Sequence, residues 1–247
     1  MKTGIQVSSV KPLLKTTEQV RDSFGKMADL GCRYVQLQWI DPAVPVESIA
    51  GALKESGMQS VSVQDFYDLV SENLEYYVNL NTATGGTWLT VSRIPERCKS
   101  REGLDVFAAE LTELSRYLEP LGQRVCLHPV TADFTAVPGM RPVEYLLKKL
   151  PWLELCLDLF HLDKNCTDMP GFIRRYAGRI PMVHFKDHRE GILVPAGQGQ
   201  VSWQGVAEAC REAGTAYGFV EQETWQGDPF LCLGQALSWL QEEIREP

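Results

Sequence analysis

The stretch from Leu153 to His161 reads LELCLDLFH, an apolar run of strand length that ends on an aspartate and passes directly into a second apolar segment. Three other runs of this length end in the same way, on an imidazole or a carboxylate. In chain order, the four end residues are His128 in RVCLHP, Asp158 in LELCLDLFH, His184 in PMVHFKD and Glu221 in YGFVEQE. Because each follows an apolar run, we expect each side chain at the C-terminal end of a strand.

Strand-like runs alternate with amphipathic helical patterns along the whole chain. The eight runs begin at Gly4, Arg33, Met58, Thr87, Arg124, Leu153, Ile180 and Ala216. Glycines close several of the intervening helical patterns, as C-terminal caps do; they are Gly31, Gly57, Gly122, Gly178 and Gly214. This order predicts a single (β/α)8 TIM barrel domain over residues 1–247. A doubly wound open sheet is the alternative that shares the same alternation.

Composition and charge exclude several classes of protein. The 247 residues are 44% hydrophobic and 23% charged, which fits a globular chain with a substantial core. A net charge of −8 argues against binding to nucleic acid and to anionic membranes. Neither a signal peptide nor a membrane span is predicted. The seven cysteines are odd in number and form no CxxC pair, so we expect a reduced, cytoplasmic protein without disulfides or a cysteine zinc site.

The four end residues predict a metal site if the fold is a barrel. The C-terminal strand ends of such barrels carry the chemistry, and these residues end strands five to eight. Neighbouring strands lie roughly 5 Å apart, so four side chains can reach one divalent ion. Each residue also has an ordinary explanation. His128 could be a polar residue at the barrel mouth, Asp158 a helix cap, His184 part of an ion-pair cluster and Glu221 a neutral buried carboxyl.

Further polar residues lie close to these strand ends in the sequence. His161 follows Asp158 by one helical turn, where it could hydrogen-bond a substrate hydroxyl or carbonyl. Lys186 follows His184 by two residues and would stabilise a developing oxyanion if it points toward the pocket. A surface ion pair of Lys186 with Asp187 or Glu190 is the alternative.

Aromatic residues also lie at or just beyond strand ends, and we expect them to stack on a sugar ring or to shield the site; they are Trp39, Phe66, Trp88 and Trp225. Ordinary packing at the rim is the alternative for each. The segment from Gly197 to Gly199 reads GQG and lacks the third glycine of a dinucleotide loop. We interpret it as a mobile turn before the next helix.

Six segments carry a resemblance to a known family. They are GIQVSSV, LHPVTADF, CLDLFH, MVHFKD, AGQGQVSW and FVEQETWQGDP, and they run in family order over nearly the whole chain. On these segments the chain resembles the sugar isomerase/epimerase family of xylose isomerase-like barrels. The resemblance implies one divalent ion held by His128, Asp158, His184 and Glu221, with His161 in contact with substrate.

One position departs from the family pattern. Many of these isomerases have a glutamate where His128 stands, and it serves as ligand and as catalytic base. A metal-bound imidazole cannot take up a proton while bound, so epimerisation with two bases would need another group, such as Glu223 or Asp133. Two imidazole ligands also favour Mn²⁺, Co²⁺ or Zn²⁺ over Mg²⁺.

The residues and the resemblance together predict a divalent-metal-dependent isomerase or epimerase. Its substrate would be a small uncharged sugar or keto-polyol that reacts through an enediolate. Glu221 would act as general base, with His161 and Lys186 as further catalytic and substrate-binding groups and with Trp39 and Trp225 lining the substrate pocket. Similar barrels form homodimers or homotetramers. The first alternative is a dehydratase of a keto-sugar or keto-inositol, similar to inosose dehydratase, because elimination needs one base.

Two further alternatives come from other classes of protein. An abasic-site endonuclease of the same superfamily would hold three zinc ions with additional histidines, but His188 is the one histidine left over. The negative net charge also opposes binding to duplex DNA. A catalytically inert barrel that binds a sugar or a partner is suggested by His128 and by Gln36, which stands where many relatives have a glutamate.

Overall fold

The computed structural model describes residues 1–135, 140–166 and 168–244. Eight parallel strands form a closed barrel, in which the first strand pairs with both the second and the last. The barrel strands are β1 (Lys2–Gln6), β2 (Tyr34–Leu37), β3 (Gln59–Phe66), β4 (Trp88–Ser92), β5 (Arg124–His128), β6 (Glu154–Asp158), β7 (Met182–Phe185) and β10 (Tyr217–Val220). The predicted barrel is thus confirmed, and the closed sheet excludes the doubly wound alternative. A short antiparallel hairpin follows β7 and consists of β8 (Asp187–Arg189) and β9 (Ile192–Val194).

Helices connect the barrel strands on the outside. They are α1 (Thr17–Asp29), α2 (Val46–Ser56), α3 (Tyr67–Glu72), α4 (Leu74–Thr84), α5 (Arg101–Leu118), α6 (Thr131–Phe134), α7 (Pro142–Lys149), α8 (Leu159–Asp163), α9 (Met169–Arg175), α10 (Val206–Glu212) and α11 (Pro229–Glu243). Short 3-10 helices cover Val7–Leu13, Glu96–Cys98 and Glu119–Leu121. Among the described residues, none of the helices has the length and apolar character needed to cross a membrane.

Sequence features explain where the helices begin and end. The side chain of Thr16 accepts a hydrogen bond from the backbone N–H of Gln19 and so caps the start of α1. Gly57 ends α2 with a φ of 67°, a left-handed conformation that costs glycine little. The predicted cap at Gly57 is therefore confirmed.

The barrel interior is packed, and its outer surface is covered by the helices. Cys126 and Cys156 lie inside the barrel with Met182 and Phe219 in one small apolar cluster. Burial raises the pKa of the Cys156 thiol to about 12, so this cysteine is a small core residue, as its apolar surroundings in the sequence predict. A larger core fills the space between the strands and the helices. The packed interior leaves the C-terminal rim of the barrel as the place for polar side chains.

The GQG segment folds around one buried carboxylate. The side chain of Asp187 is 1% exposed and accepts hydrogen bonds from the backbone N–H groups of Gly197, Gly199 and Val201. The indole of Trp203 donates to the same carboxylate over 3.1 Å. A Cβ atom on Gly199 would lie 2.0 Å from Asp187 Oδ1, so this position has room for glycine alone. The predicted turn before α10 is present, and these hydrogen bonds tie it to the residue after Lys186.

Candidate metal centre

Four side chains predicted as metal ligands meet at the C-terminal end of the barrel. They are His128 at the end of β5, Asp158 at the end of β6, His184 in β7 and Glu221 directly after β10. One nitrogen or oxygen atom from each lies within 4.8 Å of the corresponding atom of every other. All four side chains are buried. The barrel strands therefore bring together residues that lie up to 93 positions apart in the chain.

Contacts from the protein fix one heteroatom of His128 and one of Asp158. The Nδ1 atom of His128 lies 3.0 Å from the hydroxyl of Ser92, at the end of the neighbouring strand β4. Asp158 Oδ1 accepts hydrogen bonds from the backbone N–H groups of Phe160 and His161, over 2.9 and 3.3 Å. Asp158 thus does cap α8, as one interpretation of the sequence proposes, but it uses only one of its oxygens.

Contacts of the same kind fix the other two side chains. His184 Nε2 lies 2.5 Å from Gln36 Oε1 and 3.1 Å from the sulfur of Cys156. The hydroxyl of Ser8 donates to Glu221 Oε1 over 3.0 Å. Ser8 and Gln36 come from the first quarter of the chain, so these contacts join the first strands of the barrel in sequence order to the last ones.

The second heteroatom of each of these side chains is buried and has no hydrogen-bond partner among the described residues; these atoms are His128 Nε2, Asp158 Oδ2, His184 Nδ1 and Glu221 Oε2. Buried polar atoms in folded proteins are nearly always paired, so four such atoms at one point need a common partner. Two imidazole nitrogens and two carboxylate oxygens match the ligand set of a divalent transition metal or zinc. The residues present therefore fit the implied ion.

Both carboxylates of the cluster are held in the charged form. Burial alone would raise the pKa of Asp158, but the neighbouring His161, His128 and Lys186 hold it well below its usual range. Burial would likewise raise the pKa of Glu221, and Lys186 with His184 lowers it to about 2. Two carboxylates in the ionised form and two imidazoles give a ligand set that a divalent cation would neutralise.

His161 and Lys186 lie beside this cluster. His161 Nε2 is 3.7 Å from Asp158 Oδ2, and its Nδ1 is 2.8 Å from the hydroxyl of Thr131. Burial lowers the pKa of His161 to about 4, so the imidazole is neutral at neutral pH. The Lys186 ammonium is buried and pairs with Glu223 over 2.5 Å. The alternative surface ion pair of Lys186 with Asp187 or Glu190 is therefore wrong, because the strand direction carries this side chain inward.

The two groups considered as a second base have different surroundings. Asp133 is fully buried, and its Oδ2 accepts hydrogen bonds from the backbone N–H groups of Ile94 and Val130. Burial raises its pKa. Its Oδ2 atom therefore connects two loops, while Oδ1 is buried without a hydrogen-bond partner among the described residues. Glu223 is paired with Lys186 and has a partly exposed side chain.

The two tryptophans predicted to line the substrate pocket follow β2 and β10, the two strands that flank β1 in the barrel. Trp39 follows β2 with a φ of 57°, packs 6.0 Å from the ring of Phe66 and has the Lys11 ammonium 4.2 Å from its ring centre. It lines a cavity of about 460 Å³ next to α4, which none of the four ligand residues lines. Trp225 lies in the loop after β10 and is half-buried. Contact of either ring with a substrate stays a prediction.

Sequence reasoning missed the residues that orient the ligands. Ser8, Gln36 and Ser92 each hold one ligand side chain, but single serines and glutamines carry no distinctive signal in a sequence. Alternation with apolar neighbours does place Gln36 and Ser92 on the inner face of the barrel, whereas Ser8 lies in the 3-10 helix that follows β1. Polar residues on the inner face of a strand can be recognised from the sequence. Which ligand each of them contacts follows only when the register of the strands is known.

A comparison with protein-family models matches residues 24–244 to the family described as xylose isomerase-like TIM barrel. The chain belongs to this family. The match covers all four ligand residues of the candidate metal centre, and it confirms the resemblance seen in the sequence. No curated protein matches the sequence significantly.

Solved structures share the fold of this xylose isomerase-like chain at low sequence identity. A D-allulose 3-epimerase from Methylomonas sp. is 17% identical, with a TM-score of 0.79 and a coverage of 98% of both chains. The IolI protein, crystallised with a zinc atom, is 15% identical, with a TM-score of 0.78 and coverage of 99% of this chain and 98% of IolI. The probable 3-DHS dehydratase AsbF from Bacillus anthracis is 15% identical, with a TM-score of 0.76 and coverage of 98% and 99%. At these identities the likeness shows the fold.

Proposed function

We propose that this xylose isomerase-like barrel is a metal-dependent isomerase or epimerase of a small sugar or keto-polyol. The observation that carries the proposal is the convergence of four buried, unpartnered ligand atoms at the C-terminal end of the barrel. A D-allulose 3-epimerase and a zinc-containing protein among the similar structures support the proposal. When bound, a divalent ion would polarise the carbonyl group of the substrate as a Lewis acid.

Glu221 is the group that we assign to proton transfer. Its carboxylate is charged at neutral pH because Lys186 and His184 lower its pKa to about 2. The hydroxyl of Ser8 fixes one oxygen and leaves the other directed at the cluster. Glu221 can then take a proton from the carbon next to the carbonyl and return it to the former carbonyl carbon. Together with the shift of the hydroxyl proton from one oxygen to the other, this transfer interconverts an aldose and a ketose.

Lys186 and His161 are the groups that we assign to the oxygens of the substrate. The charges of Glu221, Asp158 and Glu223 outweigh the effect of burial and raise the pKa of Lys186, so it stays a cation at neutral pH. A buried cation stabilises the negative charge that develops on the enediolate oxygen. His161 is neutral and lies 3.7 Å from Asp158, where it can hydrogen-bond a substrate hydroxyl without adding charge.

A single-base elimination is the second candidate function. His128 occupies a ligand position with an imidazole, so Glu221 is the only glutamate of the four-residue set. Asp133 uses one oxygen for two backbone N–H groups and has its pKa raised by burial, and Glu223 is paired with Lys186. Loss of a β-hydroxyl from the enediolate requires one base, and a probable dehydratase is among the similar structures. The same site would then release water from a keto-sugar or a keto-inositol.

Proton exchange in deuterated water tests the proposal and separates its two forms. The protein would be supplied with Mn²⁺ or Zn²⁺ and incubated with a panel of keto-sugars, including D-allulose, and with keto-inositols. Incorporation of deuterium next to the carbonyl, followed by a new isomer of equal mass, supports isomerisation or epimerisation. A product that is lighter by one water indicates elimination. Absence of exchange in every substrate of the panel, with metal bound, would favour an inert sugar-binding barrel.

A further inference from the structure

Gln36 is fully buried inside the barrel and touches a residue of the candidate metal centre. It lies on β2, across the barrel from β7, and its Oε1 atom lies 2.5 Å from His184 Nε2. A carbonyl oxygen carries no proton and only accepts hydrogen bonds. A contact this short therefore requires the proton on Nε2 of His184, because two lone pairs would repel each other.

The orientation of the Gln36 amide follows from its other partners. Gln36 Nε2 lies 3.3 Å from Ser62 Oγ and 3.4 Å from Thr90 Oγ1, two hydroxyls that can accept hydrogen bonds. Its Oε1 also accepts a hydrogen bond from Gln6 Nε2 over 2.9 Å. Gln6 is oriented in turn, because its own Oε1 accepts from the backbone N–H of Ser8. A fixed backbone donor thus determines the direction of the whole chain of amides.

We propose that Gln36 is a positioning residue for the metal centre. By accepting a hydrogen bond from Nε2, it orients His184 so that Nδ1 points at Glu221 and the other ligand atoms and is the nitrogen available to a bound ion. Nδ1 of His184 lies 3.1 Å from Glu221 Oε2, at the point where the four unpartnered atoms meet. Supporting hydrogen bonds of this kind orient metal-binding histidines and typically change metal affinity by about 10–100-fold. The proposal rests on the proposed metal site, but its tautomer can be observed without metal.

The acceptor on His184 is an amide and not a carboxylate. A carboxylate at position 36 would add a negative charge inside the barrel, where Asp158 and Glu221 already contribute two. With Gln36, the two carboxylates bring two negative charges, which balance one divalent ion. The amide therefore supplies orientation without changing the charge of the site.

Cys156 is the competing partner of His184. Its sulfur lies 3.1 Å from Nε2 and would donate a proton to that nitrogen in the opposite tautomer. The Cys156 thiol is a weaker hydrogen-bond group than an amide oxygen, and the Gln36 contact is the shorter. Removing each partner in turn separates their roles.

Nitrogen-15 spectra of the histidine side chains test the tautomer directly. The chain has four histidines, so single His→Gln variants assign the resonances. The proposal expects a proton on Nε2 of His184 in the metal-free protein and in the zinc-loaded protein. An unprotonated Nε2 in the metal-free protein would overturn it. This readout does not depend on metal binding, so failure of the metal site and failure of the tautomer assignment are distinguishable.

Metal affinity of substituted proteins tests the consequence. Zinc affinity would be measured by competition with a chromophoric chelator for wild type, Gln36→Leu, Gln36→Glu and Cys156→Ala. We expect Gln36→Leu to lose about 10–100-fold in affinity, while Gln36→Glu, which keeps an acceptor, binds at least as tightly as wild type. Cys156→Ala should stay within about threefold, since it leaves the amide acceptor in place. Wild-type affinity in Gln36→Leu, or a loss in Cys156→Ala that equals that of Gln36→Leu, would contradict the proposal. Should Gln36→Leu fail to fold, the protonation of His184 Nε2 in the nitrogen-15 spectrum of the wild type decides.

Discussion

His184 Nδ1 and Glu221 Oε2 lie 3.1 Å apart, although the two residues are separated by 37 positions in the chain; His184 lies in β7 and Glu221 directly follows the neighbouring strand β10. Each of these atoms is buried, and each side chain is fixed through its other heteroatom, to Gln36 and to Ser8 respectively. The pair is one edge of a four-atom cluster that the protein orients before any ligand arrives. Such preorganisation is what a metal-assisted reaction requires.

Replacing Glu221 by glutamine should remove the base but keep an oxygen that can bind the metal, and the metal content of the variant is measured alongside its activity. We expect deuterium exchange next to the carbonyl of the active keto-sugar to fall by about 10²–10⁴-fold, the range for loss of a general base. Ser8→Ala is the matched control, because it leaves the carboxylate and removes only the hydrogen bond to Oε1. Deuterium exchange in Ser8→Ala should fall by no more than about tenfold. Exchange in Glu221→Gln within a factor of about ten of wild type would argue against Glu221 as the base.

Replacing Lys186 by methionine should lower turnover without releasing the metal. The ammonium is buried next to both carboxylates but has no lone pair to bind an ion while it is protonated. We expect kcat to fall by about 10²–10³-fold, as for other groups that stabilise an oxyanion, with an unchanged metal content. If metal and activity are lost together, Lys186 maintains the structure of the metal site instead of stabilising the oxyanion. Glu223→Gln serves as comparison, since it leaves the cation in place without its partner.

The stability of the metal-free protein should fall in mild acid because of His161. Its pKa is lowered from 6.5 to about 4 in the folded state, so the unfolded chain binds the proton first as the pH falls. The contribution of His161 to the free energy of unfolding is therefore complete above pH 6.5 and is lost as the pH falls toward 4. The difference between the pKa of His161 in the unfolded chain and in the folded state corresponds to a loss of about 3 kcal/mol in the free energy of unfolding, since the side chain is largely buried. Urea unfolding at pH 7, 6 and 5 should show a flatter pH dependence in His161→Gln than in wild type. Equal slopes would contradict the assigned cause.

Removing the carboxylate of Asp187 should loosen the segment that follows β9. Asp187→Ala leaves the backbone N–H groups of Gly197, Gly199 and Val201 without their acceptor. Hydrogen bonds to a buried charge contribute roughly 1.5–3 kcal/mol each, and partial hydration after the change leaves an expected net loss of about 3 kcal/mol in the free energy of unfolding. Limited proteolysis should then cut near residues 195–201. The protease resistance of Asp187→Asn, which keeps one oxygen, should lie between that of Asp187→Ala and that of wild type. Wild-type resistance to protease in Asp187→Ala would show that the carboxylate does not hold this segment.

The sequence was sufficient to predict the fold and the four residues that meet in the candidate metal centre. Apolar runs with an end residue such as Asp158 specify both a strand and the rim at which it ends, since the C-terminal ends of parallel barrel strands lie together. The strand boundaries differ only slightly from those predicted. Glu221, for example, directly follows β10 rather than ending it.

The supporting contacts could not be predicted, because they depend on the closure of the barrel. Ser8 and Glu221 are 213 positions apart, and Gln36 and His184 are 148 positions apart. Neither pair follows from local periodicity, since each requires the register of several intervening strands. The pairing of Lys186 with Glu223 was missed for the same reason, because Glu223 lies beyond the last barrel strand.

Metal content is the most direct test of the central claim that the four side chains form one metal centre. Protein would be purified without added metal and again after Mn²⁺ is supplied, and elemental analysis would be performed on wild type and His184→Ala. The account predicts about one equivalent of manganese, cobalt or zinc per wild-type chain and its loss in the variant, as expected when one of four ligands is removed. Wild-type protein that holds no metal even after Mn²⁺ is supplied, or a variant that retains a full equivalent, would contradict it.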